Sequence, residues 1–262
     1  MSKQPSQTPK VSVITVSFND FLGLKATRKS VEAQSYQGDI EHIVIDGGSG
    51  SEVLRWLENI HDSNFLFVSE PDSGIYNAMN KGIEAATGDL LWWVNSGDCF
   101  ADKFAIQNVV KHLEDPPNQW GYGITALSNI DGSISGLSFP VPYSSEKHML
   151  GIEYVPHPSS FVGSEIVNQI GGYDENIAIV SDQIFLARAG IICPPVLIPR
   201  VLSNFKLGGV SSTISYLESM SLIKSGLKLS GVTIPNLWTR LRVGLVPTLK
   251  FSLKKFIKRF DT

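Results

Sequence analysis

The sequence predicts an α/β fold, a mainly parallel sheet flanked by helices and followed by an amphipathic helical tail. Short apolar runs alternate with helical stretches from residue 11 to residue 94, the order of repeated strand–helix units joined by right-handed crossovers. The run Leu90-Leu91-Trp92-Trp93-Val94 is apolar throughout, as a strand covered on both faces is. Each run stops at a cluster of polar or acidic residues and glycines, the punctuation of a strand end.

Taken in order, Val11–Val16 reads as the first strand, ending at Ser17-Phe18-Asn19-Asp20, with a helix over about 21–35. A second strand, Glu41–Ile45, ends at Asp46-Gly47-Gly48-Ser49 and leads into a helix over about 51–60. A third, Phe65–Ser69, ends at Glu70-Pro71-Asp72-Ser73-Gly74 before a helix over about 75–86. The fourth is the Trp-rich run, which stops at Asn95-Ser96-Gly97-Asp98. Beyond it the pattern loosens. Gly121-Tyr122-Gly123 and Asp131-Gly132-Ser133 suggest a short hairpin, a polar loop covers 140–147, and Ser181-Asp182 opens an apolar helix. Glycine-rich 204–212 reads either as a loop closing on an anion, with Lys206 and the backbone at Gly208-Gly209 as donors, or as a flexible connection. Three segments result: a disordered 1–10; a domain over 11–212, divided near residue 100; and a helical extension over 213–262.

The chain has 262 residues, 42% hydrophobic and 18% charged, enough for one large α/β domain with a sizeable core. Cys99 and Cys193 stand far apart and outside any CxxC pattern, which argues against a disulfide framework or zinc site and fits a cytoplasmic setting. No apolar leader segment and no stretch of about 18 apolar residues is present. Net charge is −3, unevenly spread: residues 239–262 carry seven Lys or Arg against Asp261, a local charge of +6 that leaves −9 on the rest. There Leu249, Leu253, Phe256, Ile257 and Phe260 recur at helical spacing, with the lysines mostly opposite. Such a helix either lies in the headgroup plane of an anionic membrane or packs on the domain with its basic face solvated.

If the sheet is parallel, its strand ends converge on one crevice, the place where open α/β sheets bind ligands. Asp46, Asp72 and Asp98 would then meet there. Carboxylates at such a place accept hydrogen bonds from a nucleobase imide or a ribose, or hold a hard divalent cation. Taken singly, each also fits a turn or cap role.

At Val13–Asn19, His42–Ser49, Ser69–Gly82 and Ala86-Thr87-Gly88-Asp89 leading into Asn95–Asp98, the chain resembles the family 2 glycosyltransferases, over roughly residues 10–212. Pro156–Val162, Gly171–Glu175 and Ile179–Arg188 extend the likeness. The resemblance implies a GT-A fold and an inverting transfer of a sugar from a nucleotide diphosphate donor, UDP-sugars favoured, onto an acceptor hydroxyl. Matched position by position, it implies that Val16, Ser17 and Asn19 line the base and ribose pocket and that Asp46 binds the base. Asp72 would help hold the donor, with Lys81 near the nucleotide or its phosphates. Ser96-Gly97-Asp98 matches the DxD-like motif, in which Asp98 would bind Mn²⁺ or Mg²⁺. Gly97 stands where many members have Asp, so Asp98 would be the motif's sole carboxylate. Asp182 would be the general base, at a helix start whose dipole favours its ionised form. His157, between two prolines, reads as either a ligand contact or a structural residue.

The resulting expectation is a cytoplasmic protein, peripheral at the inner face of the plasma membrane, acting on a glycan or lipid-linked acceptor in surface polysaccharide assembly. No nucleic-acid partner is expected. A nucleotidyltransferase would carry a basic, glycine-rich phosphate loop near its first strand, and residues 16–20 have none. A non-catalytic nucleotide-sugar or glycan-binding module is the other alternative.

Overall fold

A computed structural model describes residues 8–129, 132–177, 179–207 and 215–232. The first half is a run of strand–helix units: β1 (Val11–Ser17), α1 (Phe21–Glu32), β2 (Ile40–Asp46), α2 (Ser51–Glu58), β3 (Phe65–Ser69), α3 (Ile75–Ala85) and β4 (Leu90–Trp93). Each lies within a few residues of its sequence-based bounds. The second half contains β5 (Cys99–Phe100), α4 (Ala105–Val110), the hairpin β6 (Trp120–Ser128) and β7 (Ile134–Ser138), α5 (Ser145–Met149), β8 (Ser160–Gly163) and α6 (Ser164–Ile170). It closes with α7 (Ser181–Ile192), β9 (Val196–Lys206) and α8 (Tyr216–Leu229).

The strands form one sheet in the order β3-β2-β1-β4-β8-β6-β9-β5, with β7 beside β6. β3, β2, β1 and β4 are mutually parallel, and Ser17, Asp46 and Ser69, the last residues of three of them, lie in register. Their exits therefore share one edge. The chain moves outward from β1 to β3 and returns on the other side of β1 at β4, which creates a topological switch point where the loops diverge. Beyond β4 the sheet is mixed: β8 runs antiparallel to β4 and β6, while β9 is parallel to β6. This is the expected α/β class, with the parallel character concentrated in its first half.

The apolar run at β4 has a direct cause. Leu91 and Trp93 join Ile14, Val16, Ile43, Ile45, Met79 and Phe185 on one face, while Leu90 and Trp92 join Val11, Val13, Phe100, Ile106 and Phe161 on the other. A side chain at Gly82 would stand 2.4 Å from Ile14 Cγ2, so its absence lets α3 lie close against β1. α8 begins with a capping box between Ser215 and Glu218 and buries Ile223 and Leu227 against Val180, Ile184 and Ala187. It supplies the first helical turns of the expected extension. The basic segment over 239–262 and Gly208-Gly209 lie outside the described residues. Among the described residues, no helix is long and apolar enough to cross a membrane.

Candidate active site

The exits of β1, β2 and β3 are tied to one another by short loops. Asp46, 0% exposed, accepts hydrogen bonds from the backbone N–H groups of Gly48 (3.2 Å) and Ser49 (2.9 Å) and from the hydroxyls of Ser49 and Ser69. Its oxygens thus hold the 47–49 turn from beneath. Ser49 Oγ in turn accepts the Asn19 N–H at 2.7 Å, and Asn19 itself is left-handed at φ 54°. Asp72 Oδ1 accepts the Gly74 N–H at 2.9 Å, and its Oδ2 lies 2.7 Å from where a Cβ at Gly47 would stand. Phe18, 65% exposed, flanks the same point at 3.2 Å. Ser17 is buried at the mouth of this cluster, and its hydroxyl has no hydrogen-bond partner among the described residues. Val16, Ser17, Asn19, Asp46 and Asp72 are thereby brought together, as the parallel sheet requires. Lys81 sits on α3 with its ammonium 2.6 Å from Glu70 Oε1.

The loop after β4 is held from α1. Thr27 Oγ1 donates to the Asp98 carbonyl at 2.7 Å and accepts the Gly97 N–H at 3.1 Å, and Ser96 Oγ lies 3.0 Å from Asp20 Oδ2. Gly97 adopts φ 92°, a left-handed geometry that disfavours any side chain, and a Cβ there would point 3.4 Å from Asp20 Oδ2. An Asp in that place would therefore be both strained and set against a neighbouring carboxylate. Asp98 is only 4% exposed and accepts one backbone N–H, from Lys206, at 3.3 Å. Burial pushes its carboxyl up to about 8, weakly opposed by that bond. A buried carboxyl with so little compensation suits a cation partner. Among the described residues, no cluster of three or more His, Cys, Asp or Glu could hold a metal, so a cation there needs ligand oxygens as well. A cavity of about 300 Å³ opens beside this loop, lined by Gly97, Cys99, Ser128, Asn204 and Lys206 among others.

Asp182 opens α7 on the α3 side of the sheet. Tyr76 Oη donates to its Oδ1 at 3.3 Å and accepts the Ser181 N–H at 3.1 Å, while Gln183 Nε2 donates to Oδ2 at 3.0 Å. Gln183 is itself anchored on both backbone groups of Val155. The preceding residue, Val180, is left-handed at φ 72°, a strained state for a β-branched side chain and of a kind that clusters at functional sites. Behind it Tyr173 stacks between Tyr76 (5.7 Å) and Phe185 (4.3 Å). His157 bonds Tyr173 Oη at 3.0 Å, and burial lowers its pKa despite the nearby charge of Asp182. It is a neutral member of the buried cluster.

Sequence reasoning missed Tyr76, Asp20, Thr27 and Phe18 as members of these clusters. Asp20 carried a usable signal, since an Asp followed by an apolar helix is a good N-cap, and Oδ1 does cap the Gly23 N–H at 3.0 Å. Tyr76 had none of its own: its partners lie 105 and 106 residues away.

The fold is of the GT-A glycosyltransferase type. The chain belongs to glycosyl transferase family 2, whose profile matches residues 12–151. It is 46% identical over 210 residues, 79% of each chain, to an uncharacterized glycosyltransferase of Mycobacterium tuberculosis. It is 27% identical over 216 residues to a PGL/p-HBAD biosynthesis glycosyltransferase of the same species, covering 79% of this chain and 80% of that one. Among solved structures, S. aureus TarS superposes with TM-score 0.63 at 13% identity, over 88% of this chain and 41% of TarS. A mannosyltransferase from Pyrobaculum calidifontis, in complex with GDP-Man and Mn²⁺, superposes with TM-score 0.57 at 15% identity, over 95% of this chain and 83% of that one. At these identities the likeness to the solved structures is one of fold.

Proposed function

We propose that the protein is an inverting glycosyltransferase that moves a sugar from a nucleotide diphosphate donor, a UDP-sugar by preference, onto a hydroxyl of a lipid-linked glycan acceptor. The observation that carries this reading is the pair of carboxylates on two separate loops. Asp98 is buried and poorly compensated beside the donor edge, and Asp182 is held by two hydrogen-bond donors, Tyr76 Oη and Gln183 Nε2, at a strained helix start. Two carboxylates in such different settings suit two different tasks.

In this mechanism Val16, Ser17 and Asn19 receive the base and ribose, with Ser17 Oγ as a hydrogen-bonding group available at the mouth. Asp46 acts through the 47–49 turn that it holds, and Asp72 through its contact with that turn. Ser96, Gly97 and Asp98 face the diphosphate, and Lys81 reaches the phosphates when its pair with Glu70 opens. Mn²⁺ or Mg²⁺ held by Asp98 and the donor's own oxygens would neutralise the charge that builds on the departing diphosphate. Asp182 takes the proton of the acceptor hydroxyl as that oxygen bonds to the anomeric carbon on the side opposite the leaving group. One displacement then completes the transfer with inversion.

Support for the donor class comes from the solved neighbours: a TarS structure of residues 1–349 contains UDP-GlcNAc, and the Pyrobaculum enzyme contains GDP-Man with Mn²⁺. Support for a lipid-linked or polysaccharide acceptor comes from the mycobacterial relative named for PGL/p-HBAD biosynthesis and from the basic amphipathic C-terminal segment. The latter would seat the protein on the inner face of the plasma membrane.

Thermal melts with UDP-GlcNAc and GDP-mannose, each with and without Mn²⁺, test the donor site: one nucleotide should stabilise the protein and Mn²⁺ should enhance the shift. Asp98→Ala should abolish the Mn²⁺-dependent part. Asp182→Asn should leave donor binding intact and reduce transfer by at least about 10²-fold, the usual worth of a general base. Full transfer by both variants would reject the mechanism.

A further inference from the structure

We propose that Tyr76 is a positioning residue for transfer: its hydroxyl, shared between the Ser181 N–H and the Asp182 carboxylate, orients that carboxylate and ties it to the donor-side loop. The inference rests on the reading of Asp182 as the base, and it assigns a role to a residue that touches neither donor nor acceptor in that reading.

Tyr76 is the second residue of α3, two positions after Gly74 and four after Asp72, so its backbone is set by the donor-side loop. Its side chain crosses to the other half of the molecule. The ring is buried and stacks on Tyr173 at an interplanar angle of 18°, and Tyr173 stacks on Phe185, one turn beyond Asp182 on α7. The hydroxyl therefore holds the start of α7 directly, and the ring holds it through Tyr173. The same face of α3 adds a second clamp, since Asn80 accepts the Tyr173 N–H at 2.8 Å and donates to its carbonyl at 3.0 Å. Asn77 and Asn80 both donate to Glu175. α3 thus holds Tyr173, Glu175 and the start of α7, and among the described residues Tyr76 makes its hydrogen bond to Asp182 itself.

The chemistry of the contact has a defined direction. Burial, with the charge of Asp182 second, raises the Tyr76 pKa, so the phenol stays protonated and donates. A donor to a carboxylate favours the ionised form, which is the form a base needs. The other titratable groups around Asp182 are His148 on α5 and Tyr154, His157 and Tyr173. Burial lowers both histidines and raises the tyrosines, so all are uncharged near neutral pH. Removal of the Tyr76 hydroxyl should therefore be felt by the Asp182 carboxylate and the Ser181 N–H, and should alter no charge beside them.

Tyr76→Phe keeps the ring stack and removes the two hydrogen bonds. In full-length protein labelled with ¹³C at the aspartate carboxyls, the resonance lost in Asp182→Asn identifies Asp182. Its chemical shift at neutral pH should move in Tyr76→Phe, because the carboxylate loses one of its two hydrogen-bond donors. With whichever of UDP-GlcNAc and GDP-mannose stabilises the protein, nucleotide release should show kcat lowered about tenfold to a hundredfold. KM for the donor should stay within about twofold, because uniform binding is untouched. The same substitution placed on Asp182→Asn should cost nothing further. An unchanged Asp182 resonance and kcat in Tyr76→Phe, with Asp182→Asn inactive, would overturn the proposal and leave Asp182 as the base. Full activity of Asp182→Asn would instead reject the base, and the proposal with it.

Discussion

Asp98 combines a carboxylate's ordinary chemistry with a site that withholds water from it. Its folded pKa, about 8, lies above the ordinary 3.8, so between those values the folded protein holds a proton that the unfolded chain has released. Stability must then fall as pH rises through that window. Melting of the ligand-free protein should show a lower midpoint at pH 8 than at pH 5. Asp98→Asn should flatten that difference, and Mn²⁺ with UDP should restore the midpoint at pH 8 in the wild type only. An equal pH response in wild type and variant would show that Asp98 ionises without penalty. Of the site residues, Asp46, Asp72 and Asp98 were legible because each follows an apolar run. Their differing roles were not, since the sequence does not reveal that Asp46 spends its oxygens on Ser49, Ser69 and the turn while Asp98 receives a single N–H.

Among the elements, the strands of the first half declared themselves because a parallel sheet demands continuous apolar runs and glycine-marked exits. In the second half only the β6–β7 hairpin and the start of α7 did so. β8 is four residues long and follows a 3₁₀ turn over His157–Ser159, and β9 contains Pro199 and loses register with β6 between Gly123 and Thr125. Neither shows alternation, and α4, α5 and α6 span only six, five and seven residues, too few for a helical period to emerge. α3 is the element on which both halves of the site depend, and its seat on β1 is narrow. Gly82→Ala would place a methyl against Ile14 and should cost about 1–3 kcal/mol, an overpacking penalty that chemical denaturation can measure. Because the displaced helix carries Tyr76 and Asn80, transfer should weaken more than donor binding does.

At the scale of the whole molecule, charge is divided between an acidic body and a basic C-terminal segment. Deletion of residues 240–262 should release the protein from vesicles containing anionic lipid while leaving donor hydrolysis largely intact, with each basic residue near such a surface worth about 1 kcal/mol. Unchanged sedimentation with vesicles would assign membrane contact, if any, to another surface. The path of the chain out of β4 has a consequence of its own. After Asp98 it does not pair with a neighbour of β4 but runs to β5, beside β9 at the far end of the sheet order, with Thr27 and Ser30 of α1 bonded across the junction. Asp98 therefore sits where the chain passes from β4, in the middle of the sheet, to the terminal strand β5, on a turn held by α1. One pair of α1 hydroxyls thereby holds both the turn that carries Asp98 and the outermost strand, so Thr27→Val should disturb the candidate cation site and the β5 edge together.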